Sequence, residues 1–203
     1  MKLHRNSQKR YYINNAVYFI TTTTYDRYPY FEINELCELF IHDLSICQKL
    51  KRFEILGYKI NPEHIHLLIQ PCKQFNYSDI MNSIKKNVTR DINYVLDFEN
   101  DYSLKARFAN LAFGNGNEIG YENKNVHDNI NFANHIRIIE TLKSKFIHKY
   151  NKNHNIPKFQ WQSSFYDHII RNEFDYHNHL QYIENQWIKH DLKENKWCYI
   201  IGK

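Results

Sequence analysis

Pro62-Glu63-His64-Ile65-His66-Leu67-Leu68-Ile69-Gln70 is the stretch that decides the architecture of this chain. Side chains alternate between the two faces of a β-strand. His64 and His66 therefore share one face, and Ile65, Leu67 and Ile69 share the other. The apolar side anchors the strand in a core. The two imidazoles lie side by side, where neutral ring nitrogens can chelate a divalent metal. Just upstream, residues 52–61 read as a second strand. Asn61-Pro62-Glu63 is a tight connection, because Asn before Pro favours a turn. Two strands so closely joined form an antiparallel hairpin.

Outward from the hairpin, Ala16-Val17-Tyr18-Phe19-Ile20-Thr21-Thr22-Thr23 is β-branched and aromatic and reads as a strand. Residues 33–50 place Leu36, Leu39, Phe40, Leu44 and Cys47 at helical spacing. Ser78-Asp79 caps a second helix running to about Phe98, with Ile80, Ile84, Val88, Ile92 and Val95 on its buried face. Lys85, Lys86 and Arg90 lie mostly off that face. The order strand, helix, strand, strand, helix lacks one strand of a ferredoxin-like split βαβ unit. Residues 159–171 supply it. Between them, from about 99 to 156, an Asn-rich stretch carries Gly114, Gly116 and Gly120, followed by a helix-like segment from Phe132 to Tyr150. This stretch reads as an insertion in one domain spanning 1–203. The predicted class is α+β: a ferredoxin-like antiparallel sheet with helices on one face and a further C-terminal helix.

A hydrophobic share of 42% in 203 residues supports a real core, and 16% of the residues are aromatic. The net charge of +5 is compatible with a nucleic-acid partner and equally with simple solubility. Cys37, Cys47, Cys72 and Cys198 are scattered without a C-x-x-C pair, so neither a zinc knuckle nor a disulfide framework is indicated. A reducing cytoplasm is the expected location. The first ten residues are polar and basic, unlike a signal peptide, and no apolar run approaches a membrane span.

Asn172-Glu173-Phe174-Asp175 reads as a cap and an acidic first turn of the last helix. Tyr176, Leu180, Ile183 and Trp187 form its core stripe. A second stripe beside it carries Asp175, His179, Tyr182, Gln186 and His190. Tyr182 and Gln186 are one turn apart and can converge on one site. A lone H-x-H pair or a lone boundary tyrosine reads most simply as structural. Paired imidazoles on a sheet face together with a hydroxyl and an amide on one helix flank point to chemistry.

Three blocks in this order resemble the HUH single-tyrosine transposases, and especially the REP-associated tyrosine transposases. They are Gly57-Tyr58-Lys59-Ile60-Asn61-Pro62-Glu63-His64-Ile65-His66-Leu67-Leu68, Ser164-Phe165-Tyr166-Asp167-His168-Ile169-Ile170-Arg171, and Asp175-Tyr176 through Tyr182-Ile183 to Lys189-His190. The resemblance covers roughly residues 11–98 and 158–192. It implies a ferredoxin-like fold with a metal on the open sheet face. By position His64 and His66 match the metal-binding pair, Tyr182 the nucleophile, and Gln186 the amide that completes the metal site. Two departures stand out. Gln186-Trp187 replaces the Asn-Pro of many relatives, and the 99–156 insertion replaces a short link.

The implied chemistry is metal-dependent nicking and rejoining of single-stranded DNA near a hairpin, through a 5′-phosphotyrosine intermediate. The implied cofactor is Mg²⁺ or Mn²⁺. Imidazole ligands suit Mn²⁺ better, and zinc is disfavoured because neither a thiolate nor a third histidine is placed to join the pair. A tyrosine needs help to lose its proton, since its ordinary pKa is near 10. His179 is a candidate helper, though its simpler reading is a surface histidine. Arg5, Lys9, Arg10, Lys85, Lys86, Arg90 and Arg171 are the expected DNA contacts, with Tyr11 and Tyr12 to stack on unpaired bases. The expected partner is single-stranded DNA with a hairpin or palindromic element. A monomer acting in cis is favoured over a homodimer. The alternatives are a non-catalytic hairpin-binding relative and, less favoured, a replication-initiator nuclease of the same superfamily.

Overall fold

Five strands and five α-helices build the described part of the chain, which in the computed structural model comprises residues 10–72, 74–98, 132–151 and 155–203. In chain order they are β1 (Tyr18–Thr23), α1 (Asn34–Lys51), β2 (Phe53–Ile60), β3 (His64–Pro71), α2 (Tyr77–Val95), α3 (Phe132–Tyr150), β4 (Tyr166–Ile169), α4 (Glu173–Glu184), the single-turn α5 (Gln186–Lys189) and β5 (Cys198–Ile200). The sheet order is β4-β1-β3-β2-β5 with every neighbouring pair antiparallel. β3 is thus inserted between β1 and β2, which run the same way. This is the ferredoxin-like split βαβ arrangement expected from the sequence. β5 is an extra edge strand on β2 that the sequence reading did not anticipate.

The register explains the two faces. Ile20 lies opposite Leu67 and Thr22 opposite Ile65, while Phe19 lies opposite Leu68 and Thr21 opposite His66. Ile20, Ile65, Leu67 and Ile69 enter the main core with α1, α2 and α3. That core takes Leu36, Leu39, Phe40, Leu44 and Cys47 from α1, Ile80, Ile84, Val88, Ile92 and Val95 from α2, and Ile139, Leu142 and Phe146 from α3. At roughly 25 cal/mol per Å² of apolar surface buried, this face supplies most of the hydrophobic drive for folding. The segment expected to be helical inside the insertion, Phe132–Tyr150, is α3, and it packs on α1 and α2. Most of the remaining insertion lies outside the described residues.

The opposite sheet face has a smaller cluster: Phe19, Leu56, Leu68, Ile183 and Ile200, flanked by Tyr176 and Leu180. This cluster seats α4. Gly57 sits beside a bulge in β2, and a side chain there would press within 3.2 Å of the Tyr199 carbonyl and 3.5 Å of Leu180 and Ile183. A glycine at this point lets α4 lie close on the sheet.

Three sequence expectations need correction. The cap of α2 is Asn76, whose side chain accepts from the Ser78 and Asp79 N–H groups while Asp79 accepts from the Asn76 N–H. Such a reciprocal capping box satisfies more orphan donors than a cap at Ser78 or Asp79 would. Arg90 is not on a solvent face. It is buried in the helical layer and held bidentately by Asp91. The last helix is also not continuous. α4 ends at Glu184, and Asn185 serves as its C-cap and as the N-cap of α5. Gln186 is buried, while Trp187, expected on the core stripe, is only half-buried.

Candidate active site

His64 and His66 project from β3 onto the sheet face that α4 and α5 partly cover. Both are buried. His64 Nδ1 lies 3.0 Å from the Glu63 carboxylate. A carboxylate only accepts, so Nδ1 carries the hydrogen and Nε2 is left as a bare lone pair. His66 Nδ1 pairs with the Thr21 hydroxyl at 2.9 Å. A hydroxyl donates or accepts, so His66 is free to hold its proton on either nitrogen. Burial and the neighbouring His64 pull the His66 pKa down to about 3, and burial likewise lowers that of His64. Both rings are therefore neutral near pH 7, the form that ligates metals.

The second turn of the site comes from the break between α4 and α5. Gln186 is 1% exposed. Its amide nitrogen donates to the Tyr182 carbonyl at 3.2 Å, which turns its Oε1 toward His66 Nε2, 3.2 Å away. His64 Nε2 lies 3.1 Å from the same His66 nitrogen. Two acceptors, His64 Nε2 and Gln186 Oε1, thus converge on His66 Nε2. A proton on that nitrogen serves Gln186 Oε1 while His64 Nε2 accepts from the Asn61 amide at 3.0 Å; a cation would draw on all three lone pairs at once. Ligands at right angles around a metal with bonds of about 2.1 Å sit about 3.0 Å apart. The observed separations fit such a metal, so this donor set suits a divalent ion.

Tyr182 stands at the edge of this cluster, 38% exposed. Its ring meets His66 edge-on at 5.2 Å between centroids and Phe19 at 5.7 Å. Lys189 Nζ donates to the Tyr182 hydroxyl at 3.2 Å. The sequence reading did not single out Lys189. Its position seven residues after Tyr182, two helical turns, was the available signal. His179 turns away from this role: its Nδ1 lies 2.8 Å from the Asp175 carbonyl and 3.1 Å from the Asp175 carboxylate, and its ring stacks on His168. A third imidazole, His190, does approach His64, with centroids 5.0 Å apart. Among the described residues, however, groups of three or more His, Cys, Asp or Glu with donor atoms within 4.8 Å occur at His168–Asp175–His179 and Asp43–Asp91–His135, not around the His64–His66 pair.

The basic residues divide into separate locations. Arg5 and Lys9 lie outside the described residues. Arg10 donates to Ser78 at 3.0 Å, lies 3.8 Å from the Asp167 carboxylate and stacks over Phe165, so it is tied into the fold. Lys85 donates to the Gln162 carbonyl at 2.7 Å. Lys85 and Lys86 line a cleft of about 1480 Å³ with Trp161 and Gln162. That cleft belongs to the helical side of the sheet, so the structure does not bring these lysines to the histidine pair. Arg90, locked to Asp91, is withdrawn from the set of phosphate contacts. Arg171 is exposed at the junction of β4 and α4. Tyr11 and Tyr12 are exposed as expected.

The family model described as "Transposase IS200 like" matches residues 12–109. Among solved structures, one of a REP-associated tyrosine transposase bound to a REP hairpin is 19% identical, with a TM-score of 0.47, covering 92% of this chain and 74% of that one. A second, a protein provisionally described as a transposase from Deinococcus radiodurans R1, is 16% identical with a TM-score of 0.41, covering 92% and 98%. No curated protein matches the chain. Among the described residues no helix is long and apolar enough to cross a membrane.

Proposed function

We propose that this chain, whose residues 12–109 match the family model of IS200-like transposases, is a transposase of that kind that cuts and rejoins single-stranded DNA beside a hairpin, with Tyr182 as the nucleophile. The observation that carries this reading is that His66 Nε2 lies 3.1 Å from His64 Nε2 and 3.2 Å from Gln186 Oε1, beside the ring of Tyr182.

In the proposed reaction the Tyr182 oxygen attacks phosphorus. A Tyr182 O–P bond forms, the P–O3′ bond breaks, the phenolic proton leaves to solvent, and the released 3′ oxygen takes up a proton. The product is a 5′-phosphotyrosine link and a free 3′-hydroxyl. Rejoining reverses these steps with a second 3′-hydroxyl. Lys189 stands where negative charge develops on the tyrosine oxygen and offsets it. Glu63 and Thr21 orient the two imidazoles, and the Tyr182 carbonyl orients Gln186. A divalent ion held by His64, His66 and Gln186 would polarise the scissile phosphate. In this reading the site acts in cis, with every one of these groups supplied by the same chain. Arg171 and the exposed Tyr11 and Tyr12 are the proposed strand contacts that the structure leaves accessible.

The test is formation of a denaturant-resistant protein–oligonucleotide adduct on hairpin-flanked single strands with Mn²⁺ or Mg²⁺. Tyr182→Phe abolishes the adduct, and His64→Ala/His66→Ala abolishes cleavage while hairpin binding persists. An adduct that survives Tyr182→Phe assigns the nucleophile elsewhere.

A further inference from the structure

Asn61 is buried, at 1% exposure, at the closing position of the β2–β3 turn. Its backbone N–H donates to the His64 carbonyl at 2.9 Å, and Ile60 pairs with Ile65. Asn61 and His64 therefore face each other across the hairpin with side chains on the same side of the sheet. The amide Nδ2 lies 3.0 Å from His64 Nε2, while Oδ1 is buried with no hydrogen-bond partner. Glu63 holds the proton on His64 Nδ1, so Nε2 is an acceptor and the Asn61 N–H donates into it. That lone pair is the one a metal needs.

Resting on the metal site proposed above, we infer that Asn61 is a switchable fourth ligand: its amide rotates by half a turn when a divalent ion binds, and Oδ1 replaces Nδ2 beside His64. Amide oxygen and nitrogen occupy nearly equivalent positions, so the rotation needs no backbone movement. In either orientation one end of the amide lacks a protein partner. What lies at His64 Nε2 then decides between them. A bare lone pair selects the N–H; a cation selects the carbonyl oxygen. The 3.0 Å separation equals the spacing of about 3.0 Å expected between adjacent ligands of an ion with bonds of about 2.1 Å. A carbonyl donor from Asn61 joins that of Gln186 and shifts the set from two nitrogens and one oxygen to two of each. Oxygen donors favour Mg²⁺ and Mn²⁺ over softer metals.

The experiment is calorimetric titration of the full chain, without DNA, with Mn²⁺. Asn61→Ala weakens Mn²⁺ binding by about 10- to 100-fold, and Asn61→Asp, which keeps an oxygen at the same place, binds at least as tightly as the wild type. A purely obstructive Asn61 has the opposite signature: Asn61→Ala binds Mn²⁺ as tightly as the wild type or more tightly, and this outcome overturns the inference. His64→Ala separates the two levels of the argument. If it loses Mn²⁺ while Asn61→Ala does not, the metal site stands and the fourth ligand falls. A wild-type chain that takes up no Mn²⁺ overturns both.

Discussion

Replacing Lys189 by Met removes the cation that touches the nucleophile and leaves the aliphatic stem in place. At the observed 3.2 Å, opposite unit charges attract by about 1.3 kcal/mol in bulk water and about 5 kcal/mol at an effective dielectric constant of about 20. Tyr182 is 38% exposed, so solvent screens the pair, and an effect of about 1–2 kcal/mol is expected. If that interaction is made with the developing phenolate, Lys189→Met slows single-turnover adduct formation about 5- to 30-fold. The assay uses a 3′-labelled hairpin oligonucleotide in excess protein, with DNA affinity measured in parallel. Affinity stays within about twofold, Lys189→Arg recovers most of the rate, and the deficit narrows at high salt because mobile ions screen an exposed pair. Two results refute the reasoning. In one, Lys189→Met forms adduct at the wild-type rate while Tyr182→Phe forms none. In the other, rate and affinity fall together, which makes Lys189 a phosphate contact instead.

Further outcomes follow from the same geometry. Gln186→Ala leaves His66 Nε2 without its oxygen partner and weakens Mn²⁺ binding by about 10-fold or more, read by titration; unchanged affinity removes Gln186 from the ligand set. Asp91→Ala removes the bidentate partner of the buried Arg90 guanidinium and lowers unfolding free energy by about 3–5 kcal/mol in urea; a loss below about 1 kcal/mol denies the pair its structural weight. Burial and the nearby Asp91 push the Asp43 carboxyl well above the usual carboxylate range. A group whose folded pKa is raised stabilises the fold below its unfolded pKa, and that stability is lost as pH rises toward the folded value. Asp43→Asn keeps the shape without the charge, so it melts higher than the wild type at pH 8, with the gap closing toward pH 4. A gap that is constant with pH assigns the titration to another group.

Much of this site was legible from residue order. The two-residue spacing of His64 and His66 is enough to put both imidazoles on one face, because strand alternation is a local property of the backbone. The four-residue spacing of Tyr182 and Gln186 survives even though the helix between them breaks at Asn185, because Gln186 follows the break directly. Arg90 departs from the sequence expectation for an equally physical reason. A helical stripe tells which positions face a neighbouring element, but a buried arginine is decided by a carboxylate such as Asp91 already waiting in the layer. β5 was missed because a three-residue edge strand carries too little pattern to register.

Residue order alone carries the periodicities: the alternating strands, the amphipathic helices, the order of elements and the residue types able to do chemistry. The tertiary structure decided which lone pairs meet. Protonation of His64 is set by Glu63, the Gln186 amide is aimed by the Tyr182 carbonyl, Lys189 reaches the tyrosine oxygen, and the hairpin register puts Asn61 opposite His64. Those are contacts of about 3 Å between atoms, most of them brought together across the sheet or through a break in a helix. Hydrogen bonding and coordination depend on distance and direction at that scale, which no spacing along the chain encodes.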